Sequence, residues 1–571
     1  MQRYTISYEQ PLNHWLDIKL SLKNNSKNHL KLSLAGWRPG RYEMAEYASY
    51  IRHIRANDDD GNQINISKTD KNTWEIDHAS KNITIYYQYY AAQQDAGGSW
   101  LDPQLIYLNF INFIFNVSGF ENEEITVDIN IPDTYKVASA LKLNEDKLLI
   151  AENYNTIIDS PLFASENITF ESYSINNTNF RIAVNGDKIN SEKWVNDFKE
   201  FSKKQLEIFG EFPFDEYTFL ILALPYPAYH GVEHKKSTII ILGPDSEINT
   251  TRYNDLLGVS SHELFHAWNV CRIRPEEMVP YDLGKETYHK TGYVTEGFTT
   301  YYGDKILISS GVFDFNQYSL EMNKICKRHF QNEGRKYSSL SDSSFDLWVD
   351  GYKNKAPDRK VSIYMKGSLC ALALDLTIIK NTKGVKSLDD VMKILWVRHG
   401  KIEKGYSEND ILQVLNEVNG KNLTQEFYSL YHQTLPLESI LNPLLNYVGC
   451  HLNYTDSQLS NERVFGFKTV DENNSLKVVG IAPGSPAESG LMIGDKIIGV
   501  DDIKGLEEIN KYFTQEDKSS VTLTISRFGK ELKLSLEKNN QNYFSWYEIT
   551  KNKEVSASQK DLFRKWLNTD Y

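Results

Sequence analysis

Cysteine is scarce in this chain. Its 571 residues hold four, Cys271, Cys326, Cys370 and Cys450, and none stands in a CxxC pair. A disulfide scaffold and a zinc ribbon are thereby excluded. Long apolar runs are missing too: no stretch approaches the ~18 residues of a membrane-spanning helix, so no membrane span is expected. Basic residues are outnumbered, 63 Lys and Arg against 76 Asp and Glu, for a net charge of −13. No dense basic patch occurs, and a nucleic-acid partner is not expected, because phosphate binding draws on Lys and Arg. The opening "MQRYTISYEQPLNHW" has no basic segment followed by an apolar run, so it does not read as a signal peptide. The compartment stays open: cytoplasmic as written, or periplasmic or secreted with an export signal already removed. Internal repeats and low-complexity linkers are also absent.

What is present is a rich supply of packing residues. The chain is 40% hydrophobic and 12% aromatic, with 35 tyrosines, as well-packed domains require and disorder does not. At ~150 residues per domain, the length predicts three or four. Residues 1–175 carry short alternating runs such as "LDIKLSL", "ITIYYQYY" and "NITFESYSI" between Asn, Asp and Gly turns. They predict an all-β domain, an antiparallel sandwich or saddle-shaped sheet. Near residue 190 the period changes. Trp194, Phe198, Phe201, Leu206 and Phe209 fall at helical spacing ahead of Gly210. "YTFLILALP" and "STIIILG" read as buried strands, and most of 254–440 is helical, giving a mainly helical second domain over 176–445. Short strands return over 446–545 as a small β-rich domain. Residues 546–571 read as a polar, helical tail. The fold class is multidomain α+β.

The chemistry concentrates in "SSHELFHAWNV", residues 260–270. On a helix, positions i and i+4 share a face, so His262 and His266 can hold one ion. Glu263 is rotated about 100° from His262, where its carboxylate can reach a metal-bound water. The competing reading is a buried helix whose histidines only pack, and a third ligand decides between the two. The HExxHxxGxxH extension is excluded, since Asn269 and Arg272 occupy those positions. Glu276, Glu277 and Glu286 lie in a polar connection broken by Pro275 and Pro280. Glu296, in "YVTEGFTTYYGDKIL", is embedded in an apolar, helix-compatible run and is the choice. Two His and one Glu leave an open fourth position, as a catalytic zinc site requires. One Zn²⁺ ion is expected.

"HELFHAWNVCRIRP" followed by "EGFTTYY" resembles the glycyl aminopeptidase family of zinc metallopeptidases, which are gluzincins. The resemblance implies a thermolysin-like catalytic domain with His262, His266 and Glu296 as metal ligands and Glu263 as catalytic base. The Trp-Asn after the second histidine and the Arg-Ile-Arg-Pro after the helix match as well. Cys271 stands where the family often has a basic residue. Arg272 and Arg274 read as charge compensation at a helix C-terminus rather than as substrate contacts. In gluzincin aminopeptidases a glycine- and glutamate-bearing segment leads into the edge strand that pairs with substrate. Here it is similar to Gly231-Val232-Glu233-His234, with Gly231 allowing close approach and Glu233 receiving the free amine. His230 and His234 do not complete a second metal set. "SIYMKG", 362–367, resembles the Tyr-x-Lys-Gly element of the wider aminopeptidase N-like group, which would make Tyr364 the oxyanion donor.

"GIAPGSPAESGLMIGDKIIGVDD", 480–502, resembles a PDZ domain of the bacterial protease type, a β-barrel-like module the family characteristically carries. "VFGF" stands where its carboxylate loop belongs. Phe465, Gly466 and Phe467 would then offer successive N–H groups to a protein C-terminus, which adds as a strand beside 467–469. "WRPGRYEMAEYA", 37–48, matches the family more weakly. The expected function is a zinc aminopeptidase acting on peptides with a free N-terminus and a small first residue, Gly or Ala. A PDZ-assisted zinc endopeptidase and a catalytically silent PDZ adaptor are the alternatives.

Overall fold

The computed structural model describes residues 1–23, 28–186, 191–350, 355–515 and 518–571. Alternating burial along Trp15–Leu22 and Ile83–Tyr90 makes them neighbours in a sheet with one face turned to a core. That sheet has seven strands, mainly antiparallel, with one parallel pair between Gln2–Ser7 and Ile125–Ile129. Two four-stranded sheets join it, and leucine, isoleucine and aromatic side chains fill the space between. The N-terminal part is all-β, as its alternation predicts.

Its boundary falls earlier than expected. Ile168–Ile175 does not close the β domain. It pairs along its whole length with Thr178–Asn185, from Ile168↔Asn185 to Ile175↔Thr178. Thr178–Asn185 runs parallel to Glu216–Ala223, which runs parallel to Ser237–Gly243. These strands form a five-stranded sheet whose edge is Ala228–Glu233. Helix Ser191–Phe209 makes the crossover between its parallel strands. It ends at Gly210, whose φ of 87° supplies the left-handed turn that closes a helix. The strand's own alternation could not reveal which sheet it joins, because both sheets want the same pattern.

Helices Tyr253–Phe265, Thr299–Ser309, Phe315–Phe330 and Met365–Thr382 pack on this sheet and on one another in one large core. The chain's last residues belong to the same core. Cys450–Thr455 pairs with Trp546–Lys551, Cys450↔Lys551 through Thr455↔Trp546. Helix Ala557–Leu567 buries Leu562, Phe563, Trp566 and Leu567 against these helices. The expected polar tail is therefore a structural return. Its apolar residues recur three and four apart, and a helix gathers them on one face.

The residues between those two paired strands form a unit with its own core, including Phe465, Phe467, Val478, Ile497 and Leu523. Its sheet runs in the order Phe467–Glu472, Ser475–Ile481, Lys496–Val500, Ser520–Arg527, Lys530–Glu537. Helix Leu506–Phe513 packs beside it, with the Phe513 ring 5.8 Å from that of Phe467. The unit is held at both ends by the helical part rather than following it.

Candidate active site

Helix Tyr253–Phe265 ends as His266 begins a tight turn. His262 and His266 face the same side, their Nε2 atoms 3.1 Å apart. Nδ1 of His266 lies 2.7 Å from the carbonyl of Asn269. A carbonyl only accepts, so Nδ1 carries a proton and Nε2 is the atom turned to the other ligands. Asn269 is itself fixed: its amide donates to the carbonyl of Val294 at 2.7 Å and to Thr299 Oγ1 at 3.0 Å. The turn also holds Val270 at φ 121°, a strained value for a β-branched residue. Arg272 donates to the carbonyls of Gly400 and Lys401, and Arg274 to that of Cys271. Both arginines hold the loop, Arg272 by tying it to residues 400–403, rather than compensating the end of helix Tyr253–Phe265.

Glu296 lies in a π-helical turn, Tyr293–Phe298, that runs into helix Thr299–Ser309. Its Oε2 is 3.4 Å from Nε2 of His266 and 3.8 Å from that of His262. The rival glutamates 276, 277 and 286 are not in this group. Gly303 brings the two helices together: a Cβ there would stand 3.3 Å from Cβ of His262. Gly297 packs against Gly367, where a Cβ would come within 2.6 Å of the opposing Cα and 2.8 Å of the carbonyl oxygen of Ile363. This contact holds the start of helix Met365–Thr382 against the π turn. Tyr364, half-buried just before that helix, packs on the large hydrophobic core.

The edge strand supplies the opposite wall. Strand alternation turns Gly231 and Glu233 to one side and Val232 to the other. A Cβ on Gly231 would lie 2.7 Å from Cδ of Glu263 and from Cγ2 of Val259. The glycine is thus required first by the Glu263 carboxylate, ahead of any substrate. Glu233 is 6% exposed, and its ligand atom lies within 4.8 Å of those of Glu263 and His266. His230 turns away, its Nδ1 accepting from the Ala96 amide at 3.3 Å. His234 pairs with Asp159 at 3.0 Å.

The N-terminal β part completes the pocket through residues whose signal in "WRPGRYEMAEYA" was weak. Tyr42 donates its hydroxyl to Oε1 of Glu296 at 3.4 Å. Gly40, at φ 78°, sits against Glu233, where a Cβ would be 2.7 Å from Cδ. Arg38 is 3% exposed, and its field acts on Glu233, Glu263 and His230.

Charge tests what this group fits. Burial holds the His262 imidazole neutral, with its pKa well below the usual value. Burial also lowers His266, but Glu296, Glu233 and Glu263 outweigh it and hold that imidazole up at about 10. Desolvation raises the carboxyls of Glu263 and Glu233, against the pull of His266, and the neighbouring carboxylates raise them further. Among the described residues, Glu263 Oε2 and Glu233 Oε1 are buried without a hydrogen-bond partner. Three carboxylates and two imidazole Nε2 atoms converge on one point, and the carboxylate field that draws a proton onto His266 would draw a divalent cation in its place. His262, His266 and Glu296, with ligand atoms within 4.8 Å of one another, are a fitting nitrogen and oxygen set for a single divalent metal.

In the C-terminal unit, the Val464 and Phe465 amides both donate to the carbonyl of Ser460, at 2.8 and 3.2 Å. A row of open N–H groups over 465–467 is therefore not formed: the short helix Ser460–Arg463 has already engaged Phe465. Gly466, at φ 72°, makes the turn into strand Phe467–Glu472.

Two family models match the chain: the Peptidase M61 N-terminal domain over residues 3–166, and M61 glycyl aminopeptidase over residues 255–370. The first ends where the three N-terminal sheets end. Among solved structures, the aminopeptidase N family protein from Idiomarina loihiensis is 25% identical. The match covers 99% of this chain and 100% of that one, with a TM-score of 0.92. An M1 zinc metallopeptidase from Deinococcus radiodurans matches at 13% identity over 76% of this chain and 94% of that one, with a TM-score of 0.46. No curated protein matches.

Proposed function

The chain belongs to the M61 glycyl aminopeptidase family and is a metallopeptidase, and on that premise we propose that it is a zinc-dependent aminopeptidase removing small N-terminal residues, Gly or Ala. The observation that carries this reading is the buried convergence of His262, His266 and Glu296 beside Glu263 and Glu233. His262, His266 and Glu296 would hold one zinc ion, whose chemistry there would be to polarise the scissile carbonyl and acidify water. Glu263, pressed against Gly231 and poised to hold a proton, would serve as the base for an attacking water and the acid for the leaving amine. The Tyr364 hydroxyl donates to the oxygen that gains charge. Glu233 receives the free amine in a cleft closed by the N-terminal loop, so the first peptide bond is the one in reach. The edge strand Ala228–Glu233 offers its outer side to the substrate backbone.

The C-terminal unit fits a PDZ-type module by its strand order and by the helix beside its edge strand. In this reading a peptide strand adds along the edge strand Phe467–Glu472, and the module gathers peptide near the catalytic part.

One peptide with a free and an acetylated N-terminus tests the aminopeptidase reading on metal-loaded protein. Cleavage of the free form alone is expected. Equal cleavage of both would make the protein an endopeptidase.

A further inference from the structure

Away from the metal ligands, a cavity of about 160 Å³ has His329, Arg335, Lys336, Lys366, Thr434 and Glu438 among its walls. Four of these six are basic residue types. Two of the charges are already paired: Arg335 with Glu438 at 2.8 Å and Lys336 with Glu333 at 2.5 Å. Lys366 is not. It is 1% exposed. No carboxylate among the described residues lies within 4.0 Å of it, and its ammonium makes one long bond, 3.4 Å, to the carbonyl of Gln433. It also stands in the first turn of helix Met365–Thr382, where the helix end is itself positive. A buried ammonium without a counter-charge is strongly disfavoured.

Two more groups in the same walls lack partners. Nε of Arg335 is a buried donor with nothing to donate to, and Oε2 of Glu438 is a buried acceptor with nothing to accept from. A simple anion would satisfy Lys366 and Arg335 but would be repelled by Glu438. An oxyanion that carries a proton satisfies all three, because it accepts from the cations and donates its own O–H to the carboxylate. We propose that this cavity binds a hydrogen phosphate group, held by Lys366 and Arg335 and recognised as protonated by Glu438. Sulfate has the same shape and no proton to donate at neutral pH, so the site discriminates against it by leaving the Glu438 oxygen facing an anion. Burial and the nearby Arg335 already depress the Lys366 pKa, as expected of an ammonium whose counter-charge is still to come.

The test is equilibrium dialysis of the full, metal-loaded chain against inorganic phosphate, sulfate and phosphoethanolamine at constant ionic strength. Saturable phosphate binding at least about tenfold tighter than sulfate binding is expected. Phosphoethanolamine, a phosphomonoester whose second proton leaves at about pH 6, should bind more weakly than phosphate at neutral pH, as sulfate does, and tighter binding of it than of phosphate would overturn recognition of the proton by Glu438. Lys366→Met should weaken phosphate binding by about tenfold or more. Should that variant not fold, Glu438→Gln gives an independent reading: it should narrow the phosphate-to-sulfate gap to about threefold or less. Absence of saturation, equal affinity for sulfate in the parent protein, or a phosphate affinity unchanged in Lys366→Met would each overturn the assignment. The last would place the anion elsewhere, as at the metal.

Discussion

Gly231 and Glu263 touch across the contact between the edge strand and the histidine helix, so closely that no side chain fits at 231. The backbone of Gly231 has no left-handed φ, and so space alone demands the glycine. Gly231→Ala should push the Glu263 carboxylate off its position. A displacement near 1 Å costs about 10²-fold in rate, and kcat on glycyl and alanyl substrates should fall by about that factor. Zinc content should hold, because the three ligands lie on other elements. A variant with wild-type kcat would show that Glu263 needs no such placement.

Tyr42 reaches the pocket from the other domain. Its hydroxyl bonds Oε1 of Glu296, leaving Oε2 turned toward the imidazoles. Groups that orient a metal ligand in this way are worth about 10–100-fold in metal affinity or activity. Tyr42→Phe should weaken zinc retention within that range in a chelator competition. Its unfolding midpoint without metal should stay close to wild type.

These two residues show what a sequence can and cannot disclose. His262, Glu263 and His266 were legible because a helix converts a spacing of four into one face, and Glu296 because its surroundings are apolar and aromatic. The edge strand was legible through Gly231 and Glu233. Tyr42 lies 254 residues from Glu296, and no periodicity links positions so far apart. The π turn under Glu296 was hidden for another reason: its residues suit an α-helix equally well. The same ambiguity misassigned Ile168–Ile175, whose alternation serves either sheet. The closing helix was legible as a helix, yet its destination depended on Trp566 meeting Tyr301, again a distant pair.

Asp304 gives a pH dependence. Desolvation, with Glu321 nearby, pushes its carboxyl from 3.8 up to about 8, against the opposing pull of Lys324. The folded protein thus holds this proton more tightly than the unfolded chain. Its contribution is fully present below the ordinary value of 3.8 and is lost as pH rises through about 8. Asp304→Asn removes the ionisation. The variant's melting temperature should match wild type near the acid end, exceed it increasingly toward pH 8, and then run parallel. A constant offset across that window would show that Asp304 ionises normally in the folded protein.

The return of the chain end rests on a buried charge. Asp375 is fully buried and accepts from Lys305 at 2.8 Å, Tyr301 at 2.6 Å and the Leu388 amide at 2.8 Å. Trp566 donates in turn to the Tyr301 hydroxyl at 2.9 Å. Lys305 keeps a second partner, Asp389, at 2.9 Å, but that side chain is one-third exposed, against none for Asp375. Asp375→Asn therefore strips Lys305 of its deeply buried counter-charge, a change that costs about 3–5 kcal/mol. Trp566→Phe removes only one neutral donor while keeping the packing, and should cost about 1 kcal/mol. Urea unfolding followed by tryptophan fluorescence measures both. If the two variants lost equal stability, the charge pair would not be what anchors this core, and packing of the terminal helix would have to account for both losses.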